Sequence, residues 1–380
     1  MKFFIVGLPH TKTLDRTVDP TFTACAFTTK IWYLCRMMYE RGHTVIHLGN
    51  EGSNPKCTQH ISVGNPVLWE QNYGKRKPTE MFNTSQNAYT QIFYQNVRKA
   101  ILENMGEKNS SIICLPFGVY QKEAIEEVPQ LVVESGIGYA DSFADCRVFE
   151  SYTWMAYTMG RQLKLWEGGK WYWSVIPNGT DPDIYGPVEK NKDDYFLLMC
   201  RLNWDKGVEV ACQTARAIGV TIKIIGQGDP TRYLGPGVEY YPPMNPNEFV
   251  PIMRKAKGLF SPTIYPEPFG CTHIEAMMCG CPVITTDWSV YGETVQHGKT
   301  GYRCRTRDHF IWAAKNIDKI DPLACREYAI SNYGLDKVGA MYDEYFQSIM
   351  NLSKPEGWET LNPNRTQLDW LNRDYSMFYR

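Results

Sequence analysis

Glu267 and Glu275 flank a Pro-Phe-Gly turn in the segment E-P-F-G-C-T-H-I-E. An apolar stretch precedes this segment and A-M-M-C-G-C-P-V-I follows it, an order that predicts strand, carboxylate-bearing loop, short helix, glycine stop and buried strand. A helix that begins near 269–271 directs its free N–H groups and the positive end of its dipole toward whatever Glu267 faces. Glu275 lies one turn further on, with its side chain tilted back toward the same place. These groups suit a ligand that carries both phosphates and hydroxyls, such as a nucleotide sugar.

Two cations stand earlier, in the stretch C-R-L-N-W-D-K-G at 200–207. The predicted strand 195–200 ends there, and open α/β sheets bind ligands at the carboxyl ends of their strands. Arg201 offers a planar fork to phosphate oxygens, and Lys206, at the start of the next helix, offers a point charge. Taken alone, both cations are better explained as solvated loop residues, but pairing them with the later carboxylate-flanked helix favours a phosphate site.

These motifs together resemble the donor-site signature of glycosyltransferase family 4. Three further segments fall in the family's order and spacing: P-N-G-T-D at 177–181, I-I-G-Q-G at 224–228 and H-G-K-T-G-Y at 297–302. The resemblance covers about residues 175–305 and is only loose before them. It implies an α/β protein of the GT-B fold, in which two Rossmann-like domains have parallel sheets that face each other across a cleft. It also implies a retaining enzyme that needs no metal or other cofactor.

The resemblance assigns roles residue by residue. Arg201 and Lys206 clamp the donor diphosphate, Glu267 contacts the hydroxyls of the transferred sugar, and Glu275 binds the ribose. The remaining expected donor-binding residues are the backbone around Phe269, Gly270 and Cys271, with Thr272 beside it, and Met244 near the base.

Elementary electrostatics supports such a site without a metal. Breaking the bond between the sugar and the diphosphate leaves a growing negative charge, which two cations and a helix N-terminus stabilise. The sugar becomes positive in the transition state, and Glu267 can stabilise that charge. Retention by double displacement or by same-face attack is open from the residues, and the resemblance favours same-face attack.

The N-terminal half is expected to supply the acceptor site. The family usually has a Gly-Gly turn after its first strand, whereas this chain has G-L-P-H-T at 7–11. His10 is a candidate base or hydrogen-bond partner for the acceptor. Glu134 and Ser135, near the end of the strand Q-L-V-V-E-S-G, are candidates of the same kind. An ordinary loop role is as good an explanation for each.

Two competing motifs are weak. Asp181-Pro182-Asp183 resembles a D-x-D metal motif, but a loop after the Pro-Asn-Gly turn explains it better. After the first strand, V-G-L-P-H-T stands where a dinucleotide-binding protein has G-x-G-x-x-G, which argues against a dehydrogenase.

The elements that position these residues form two α/β units. Apolar runs without alternation, separated by amphipathic segments, predict buried parallel strands covered by helices on both faces. The polar stretch 51–83 is expected to be mostly loop. The predicted domains are an N-terminal acceptor domain at 1–177 and a C-terminal donor domain at 178–351, and the aromatic tail 352–380 is predicted to cross back to the first domain.

Composition narrows the class of protein. The 380 residues include 40 basic and 41 acidic side chains, so the charge gives no indication of nucleic-acid binding. No stretch is apolar for long enough to suggest a transmembrane segment. The twelve cysteines are scattered without a C-x-x-C pair, which predicts free or structural thiols and, with no signal peptide evident, a cytoplasmic location.

The sequence therefore predicts a retaining hexosyltransferase that moves a hexose from a nucleoside diphosphate sugar to a hydroxyl of a glycan or another acceptor. Loose resemblance favours a GDP-sugar such as GDP-mannose over a UDP-sugar. The alternatives are a sugar-nucleotide epimerase of the same fold and a non-catalytic protein that binds nucleotide sugars.

Overall fold

A computed structural model describes residues 1–14, 25–74, 87–162 and 169–354. The chain divides into two compact units. The first contains the described residues up to Gly179 together with those from Leu335 onward, and the second runs from Thr180 to Gly334. None of the described helices is long and apolar enough to cross a membrane.

The first unit is built on a parallel sheet of seven strands, in the order β3-β2-β1-β4-β5-β6-β7. Its side chains are buried on both faces, and one cluster on the sheet includes Phe4, Ile46 and Ile113, each at most 3% exposed. The strands are β1 (Lys2–Val6), β2 (Thr44–Asn50), β3 (Gln59–Gly64), β4 (Ser111–Cys114), β5 (Leu131–Ile137), β6 (Cys146–Phe149) and β7 (Ser174–Val175).

The second unit is built on a parallel sheet of six strands, in the order β10-β9-β8-β11-β12-β13. Leu197, Ile224, Leu259 and Ile284 are fully buried in it, and each such side chain stabilises the fold by about 1.5–3 kcal/mol. The strands are β8 (Tyr195–Met199), β9 (Thr221–Ile225), β10 (Val238–Tyr241), β11 (Gly258–Ser261), β12 (Val283–Thr286) and β13 (Gly301–Cys304).

Helices connect the strands, and polar residues start several of them. Asn87 and Asn245 each accept a backbone N–H three residues on, while the residue at that position bonds back to the asparagine N–H. The helices are α1 (Ala26–Glu40), α2 (Pro66–Tyr73), α3 (Ala88–Asn104), α4 (Tyr152–Gln162), α5 (Val208–Ile218), α6 (Pro246–Lys255), α7 (Cys271–Met278), α8 (Tyr291–Thr294), α9 (Arg307–Lys315), α10 (Pro322–Tyr333) and α11 (Leu335–Leu352).

The structure confirms the predicted fold class, which is α/β with two Rossmann-like parallel sheets. The stretch 51–83 was interpreted as mostly loop with short pieces of structure; its described part, 51–74, contains β3 and α2, and residues 75–83 lie outside the described residues. The polar pattern hid β3 because an edge strand needs burial on little of its surface, and only Val63 of β3 is fully buried.

Helix α11 belongs to the first unit, whereas the sequence interpretation extended the second domain to residue 351. The helix returns because its aromatic face finds an apolar partner there: the Phe346 ring lies 4.9 Å from the Phe3 ring. His43 Nε2 and Asp343 Oδ1 lie 2.9 Å apart, and Arg41 Nη2 donates to the Asp336 carbonyl at 2.6 Å. The observed boundaries of the second unit are therefore 180 and 334. The predicted path of the tail beyond residue 354 lies outside the described residues.

Candidate functional site

The candidate site lies at the carboxyl ends of β8 and β11, the two central strands of the second sheet. The chain runs from β8 outward to β9 and β10, and then returns to the other side of β8 as β11. The strand order reverses between β8 and β11, and the loops that leave such neighbours diverge and open a crevice for a ligand. Lys206 follows β8, and Glu267 follows β11.

Lys206 and Glu267 form an ion pair at the floor of this crevice. Lys206 Nζ lies 2.5 Å from Glu267 Oε2 and donates to the Tyr265 hydroxyl at 2.9 Å. The ion-paired side chains are only 14% and 10% exposed, so water screens the charges less than at an open surface. The ion pair holds the ammonium group in one position, so its positive charge is already in place before a ligand binds.

Gly207 brings the loop after β8 against the segment after β11. Its φ is 68°, and a Cβ added there would lie 2.1 Å from the Pro262 carbonyl oxygen. The backbone N–H of Ile264 donates to the Asp205 carbonyl at 2.8 Å. Only glycine permits both the left-handed conformation and the close approach. This contact makes it possible for Lys206 to reach Glu267.

Helix α7 begins at Cys271, within the range 269–271 predicted from the sequence. Gly270 precedes it at φ 75°, and no side chain caps the N-terminus. A Cβ at Gly270 would lie 3.2 Å from both Glu267 Cγ and His273 Nδ1. Glu267 therefore packs directly against the turn that opens the helix. Thr272 lies in the first turn of this helix and is half-buried, as is Cys271.

Phe269 fixes the other side of this turn. Its side chain is 1% exposed, and its ring meets the Tyr333 ring edge-on at 5.7 Å. The buried ring holds the backbone of the Pro-Phe-Gly turn in place, so that the first N–H groups of α7 keep one direction.

Glu275 is half-buried one turn into α7 and is held by Tyr185. The Tyr185 hydroxyl donates to Glu275 Oε1 at 3.2 Å, although 90 residues separate the two. Tyr185 ends the short 3-10 turn Pro182–Tyr185 at the start of the second unit and is itself 1% exposed.

Arg201 is the second predicted cation, and it differs from Lys206 in having no ion-pair partner among the described residues. Its side chain is exposed. It nevertheless belongs to the same electrostatic cluster because its charge changes the pKa of Tyr265. Burial raises the pKa of the Tyr265 hydroxyl and Glu267 raises it further, while Arg201 lowers it. Met244 is half-buried in the turn between β10 and α6.

His273, which lies between the two glutamates, is an interior residue. It is fully buried, and its Nε2 lies 2.7 Å from the Thr294 hydroxyl. Burial lowers the pKa of His273 to about 3, so the imidazole is neutral at physiological pH. The residue supports α7 against α8.

In the first unit, the structure places the three predicted acceptor-side residues in buried positions. His10 is 3% exposed, and its Nε2 lies 3.4 Å from the Cys25 sulfur. Glu134 is fully buried within β5, and Ser135 is 2% exposed.

The Glu134 carboxylate is held by several groups of the protein itself. Its carboxylate accepts from the Tyr139 hydroxyl at 3.1 Å and from the N–H groups of Phe143 and Ala144 at 2.9 Å each. Arg147 Nε lies 3.9 Å away. Burial raises the pKa of Glu134, and these donors oppose the rise. Glu134 thus fixes the loop that follows β5.

The Asp181-Pro182-Asp183 motif is a helix cap. Asp181 precedes the 3-10 turn Pro182–Tyr185 and accepts from the Asp183 N–H at 3.1 Å. Pro182 occupies the first position of the turn, where a missing N–H costs nothing. The structure therefore agrees with the interpretation of this motif as a loop.

Sequence reasoning missed two tyrosines of the site. Tyr265 lies two residues before Glu267 in Y-P-E-P-F-G, where its proximity to a carboxylate was a usable signal. Tyr185 ends P-N-G-T-D-P-D-I-Y, far from Glu275 in sequence, and no local pattern connects them. Both tyrosines position a charged group.

Comparisons with known proteins agree with this location. Residues 184–320 match the family model "Glycosyl transferases group 1". A glycogen synthase of Mycobacterium tuberculosis is 28% identical over 158 residues, which cover 36% of this chain and 36% of that protein. The match thus spans about a third of the length of this curated relative.

Two solved structures share the fold over nearly the whole chain. Sucrose-phosphate synthase from Thermosynechococcus elongatus has a TM-score of 0.67 at 16% identity, over 93% of this chain and 100% of that one. Anabaena HepE in complex with UDP and glucose has a TM-score of 0.62 at 15% identity, over 92% and 100%. The chain therefore has the GT-B fold, and the segment that carries Lys206, Glu267 and Glu275 is similar to the glycosyl transferases of group 1.

Proposed function

We propose that this protein is a retaining, metal-independent glycosyltransferase of family 4 that moves a hexose from a nucleoside diphosphate sugar to a hydroxyl acceptor. The observation that carries the proposal is the contact of Lys206 with Glu267 beside the uncapped start of α7. It brings a cation, a carboxylate and the N-terminus of a helix to one sheet edge, which is the set that a sugar diphosphate requires.

In this proposal Lys206 and the N-terminus of α7 bind the diphosphate, and Arg201 closes on it from the exposed side. As the bond between the anomeric carbon and the diphosphate oxygen breaks, negative charge grows on the oxygen, and these groups stabilise it. Phe269, Gly270, Cys271 and Thr272 supply or border the N–H groups. Because the positive charges are built into the protein, no divalent cation is needed.

Glu267 is proposed to act at the sugar. Its Oε2 is engaged by Lys206, which holds the side chain in one orientation. The transferred sugar gains positive charge in the transition state, and a fixed carboxylate beside it lowers the energy of that state. Glu275, oriented by Tyr185, is proposed to accept hydrogen bonds from the ribose hydroxyls, and Met244 to border the base.

The donor is proposed to be a GDP-sugar, with UDP-sugars as the competing class. A thermal-shift series with GDP, UDP, ADP and their sugars decides between them because a bound ligand raises the melting temperature by mass action. The largest shift is expected with GDP or GDP-mannose. A larger shift with UDP would replace GDP in the proposal, and no shift with any nucleotide would remove the donor site itself.

Product analysis separates this activity from its alternatives. A transferase releases the nucleoside diphosphate only as its sugar moves to an acceptor or slowly to water, and a retaining one keeps the anomeric configuration. An epimerase would convert the donor into its epimer with no acceptor present. A binding protein would show a thermal shift without turnover. EDTA should leave transfer intact, and a loss that manganese restores would refute metal independence.

A further inference from the structure

Cys25 and His10 form a hydrogen-bonded pair in the first unit, whereas the residues assigned above to the donor belong to the second unit. Cys25 occupies the N-cap position of α1, and His10 lies in the loop after β1. The Cys25 sulfur lies 3.4 Å from His10 Nε2. The imidazole is 3% exposed and its ring lies edge-on to Phe117 at 5.9 Å, so packing fixes it in position. Cys25 is half-buried, so part of its surface remains open to solvent.

The surroundings of Cys25 stabilise a negative charge on sulfur. Burial raises the pKa of the thiol, but His10 and the N–H and hydroxyl groups of Thr28 more than reverse this effect and bring the pKa to about 7. Thr28 lies in the first turn of α1, where the helix dipole also favours an anion. Its hydroxyl is oriented by the Thr11 hydroxyl at 2.6 Å.

Ten of the other eleven cysteines lie in different surroundings. None of the twelve is in a disulfide, and burial raises the thiol pKa at Cys35, Cys57, Cys114, Cys146, Cys200, Cys212, Cys279, Cys281, Cys304 and Cys325. Cys57 and Cys146 are half-buried like Cys25 and serve as comparison sites.

We propose that Cys25, hydrogen-bonded to His10 at the start of α1, is a site of covalent modification by small disulfides and other soft electrophiles. In the reaction with a small disulfide, the Cys25 thiolate attacks one sulfur. A new sulfur–sulfur bond forms, the old one breaks, and the second half leaves as a thiolate. The small disulfide is the oxidant, and the proton that the Cys25 thiol gives up passes to the departing thiolate or to solvent. A thiol reductant reverses the step.

The expected size of the effect follows from two opposing factors. At pH 7, about half of a thiol with a pKa near 7 is ionised, against a few per cent of an ordinary cysteine. A less basic thiolate is also a weaker nucleophile, which offsets part of this gain. The net advantage of Cys25 at pH 7 is therefore about three- to fourfold over a comparably exposed ordinary thiol. It is larger over Cys57 and Cys146, because burial raises the pKa of those two thiols.

The test uses the full chain with limiting iodoacetamide, and peptide mass spectrometry resolves the rate at each cysteine. Cys25 is expected to react more than about threefold faster than Cys57 and Cys146 at pH 7, and its rate is expected to reach half of its maximum near pH 7. His10→Gln should slow Cys25 at pH 7 and move the midpoint upward. Equal rates at the three cysteines, or a Cys25 midpoint above about 8.5, would overturn the proposal.

A second measurement uses oxidised glutathione as the small disulfide. A mixed disulfide is expected first at Cys25, and dithiothreitol should remove it. First appearance of the adduct at another cysteine would refute the assignment. The wild-type pH profile decides the question alone if His10→Gln fails to fold, as judged by circular dichroism. These readouts do not depend on transferase activity, so the proposal and the proposed function can fail separately.

Discussion

Lys206 Nζ and Glu267 Oε2 lie 2.5 Å apart although 61 residues separate them in the chain. The contact exists because β8 and β11 are neighbours at the point where the strand order of the second sheet reverses. Each residue therefore has two functions in the proposed mechanism. Lys206 binds phosphate and fixes the carboxylate, while Glu267 faces the sugar and fixes the ammonium group.

Replacement of Lys206 by alanine should weaken binding of a nucleoside diphosphate by about 1.5–3 kcal/mol, the scale of a charge-assisted hydrogen bond. Isothermal titration calorimetry measures this loss. Lys257→Ala is a matched control, since Lys257 also lies 2.5 Å from a carboxylate, that of Asp194, but at a more exposed place. Unchanged affinity in Lys206→Ala would remove Lys206 from the site.

Glu267→Gln keeps the size of the side chain and an oxygen for Lys206 but removes the negative charge. Turnover should fall by about 10²–10³-fold, the loss typical when one preorganised electrostatic contact to a transition state is removed. Affinity for the nucleoside diphosphate should change little. Steady-state kinetics and calorimetry together separate the two effects. If affinity fell as much as turnover, Glu267 would act on the diphosphate site through Lys206 and not on the sugar.

The ribose contact is tested by measuring how Glu275→Ala changes affinity for two ligands, one that contains a ribose and one that does not. Affinity for a nucleoside diphosphate should fall by about 1.5–3 kcal/mol, while affinity for inorganic pyrophosphate should stay the same, since pyrophosphate has no hydroxyls for the carboxylate. Tyr185→Phe frees Glu275 Oε1 without removing the carboxylate, so its effect should be smaller. Equal losses for both ligands in Glu275→Ala would place Glu275 at the phosphates.

Gly207 and Gly219 allow a controlled test of the close packing beside the site. They flank helix α5 and have nearly the same backbone conformation, with φ of 68° and 70°. Alanine at either position is strained by about 1–2 kcal/mol in the left-handed conformation. At Gly219 no atom lies within 4 Å of the added Cβ, whereas at Gly207 the Pro262 oxygen lies 2.1 Å from it. Gly207→Ala should therefore lower the free energy of unfolding by about 1–3 kcal/mol more than Gly219→Ala. Chemical denaturation measures the difference, and equal losses would contradict the close approach.

Acid should destabilise the protein through two buried histidines. Burial lowers the pKa of His47 and of His273 to about 3 each, from an ordinary value of 6.5. Unfolding restores the ordinary value, so the unfolded chain takes up protons below pH 6.5 and stability falls as the pH drops toward 3. Each histidine contributes a slope of up to about 1.4 kcal/mol per pH unit.

Melting temperatures measured between pH 7 and pH 4 check this prediction. His47 Nδ1 lies 2.9 Å from His60 Nδ1, so His47→Gln removes the most buried member of a coupled pair. That variant should lose less stability than the wild type over the same pH range, even if it begins less stable. An unchanged pH dependence would show that His47 does not titrate with unfolding.

The sequence alone determined the α/β class, most of the strands and the start of α7, because these depend on local patterns. Runs of apolar residues predicted β8, β9 and β12, and the turn E-P-F-G-C predicted where α7 begins. The glutamates and cations of the candidate site were predicted in the same way, because their types and spacing are typical of a phosphate-binding strand end.

Only the tertiary structure decided which groups touch. The bond from Tyr185 to Glu275 spans 90 residues, and the Lys206–Glu267 contact depends on a strand order that no local pattern contains. Helix α11 likewise joins the first unit because the Phe346 ring packs there, not because of its position in the chain. The sequence determined which residues could do the chemistry, and long-range packing decided their partners, since contacts between distant segments depend on how the whole sheet is ordered.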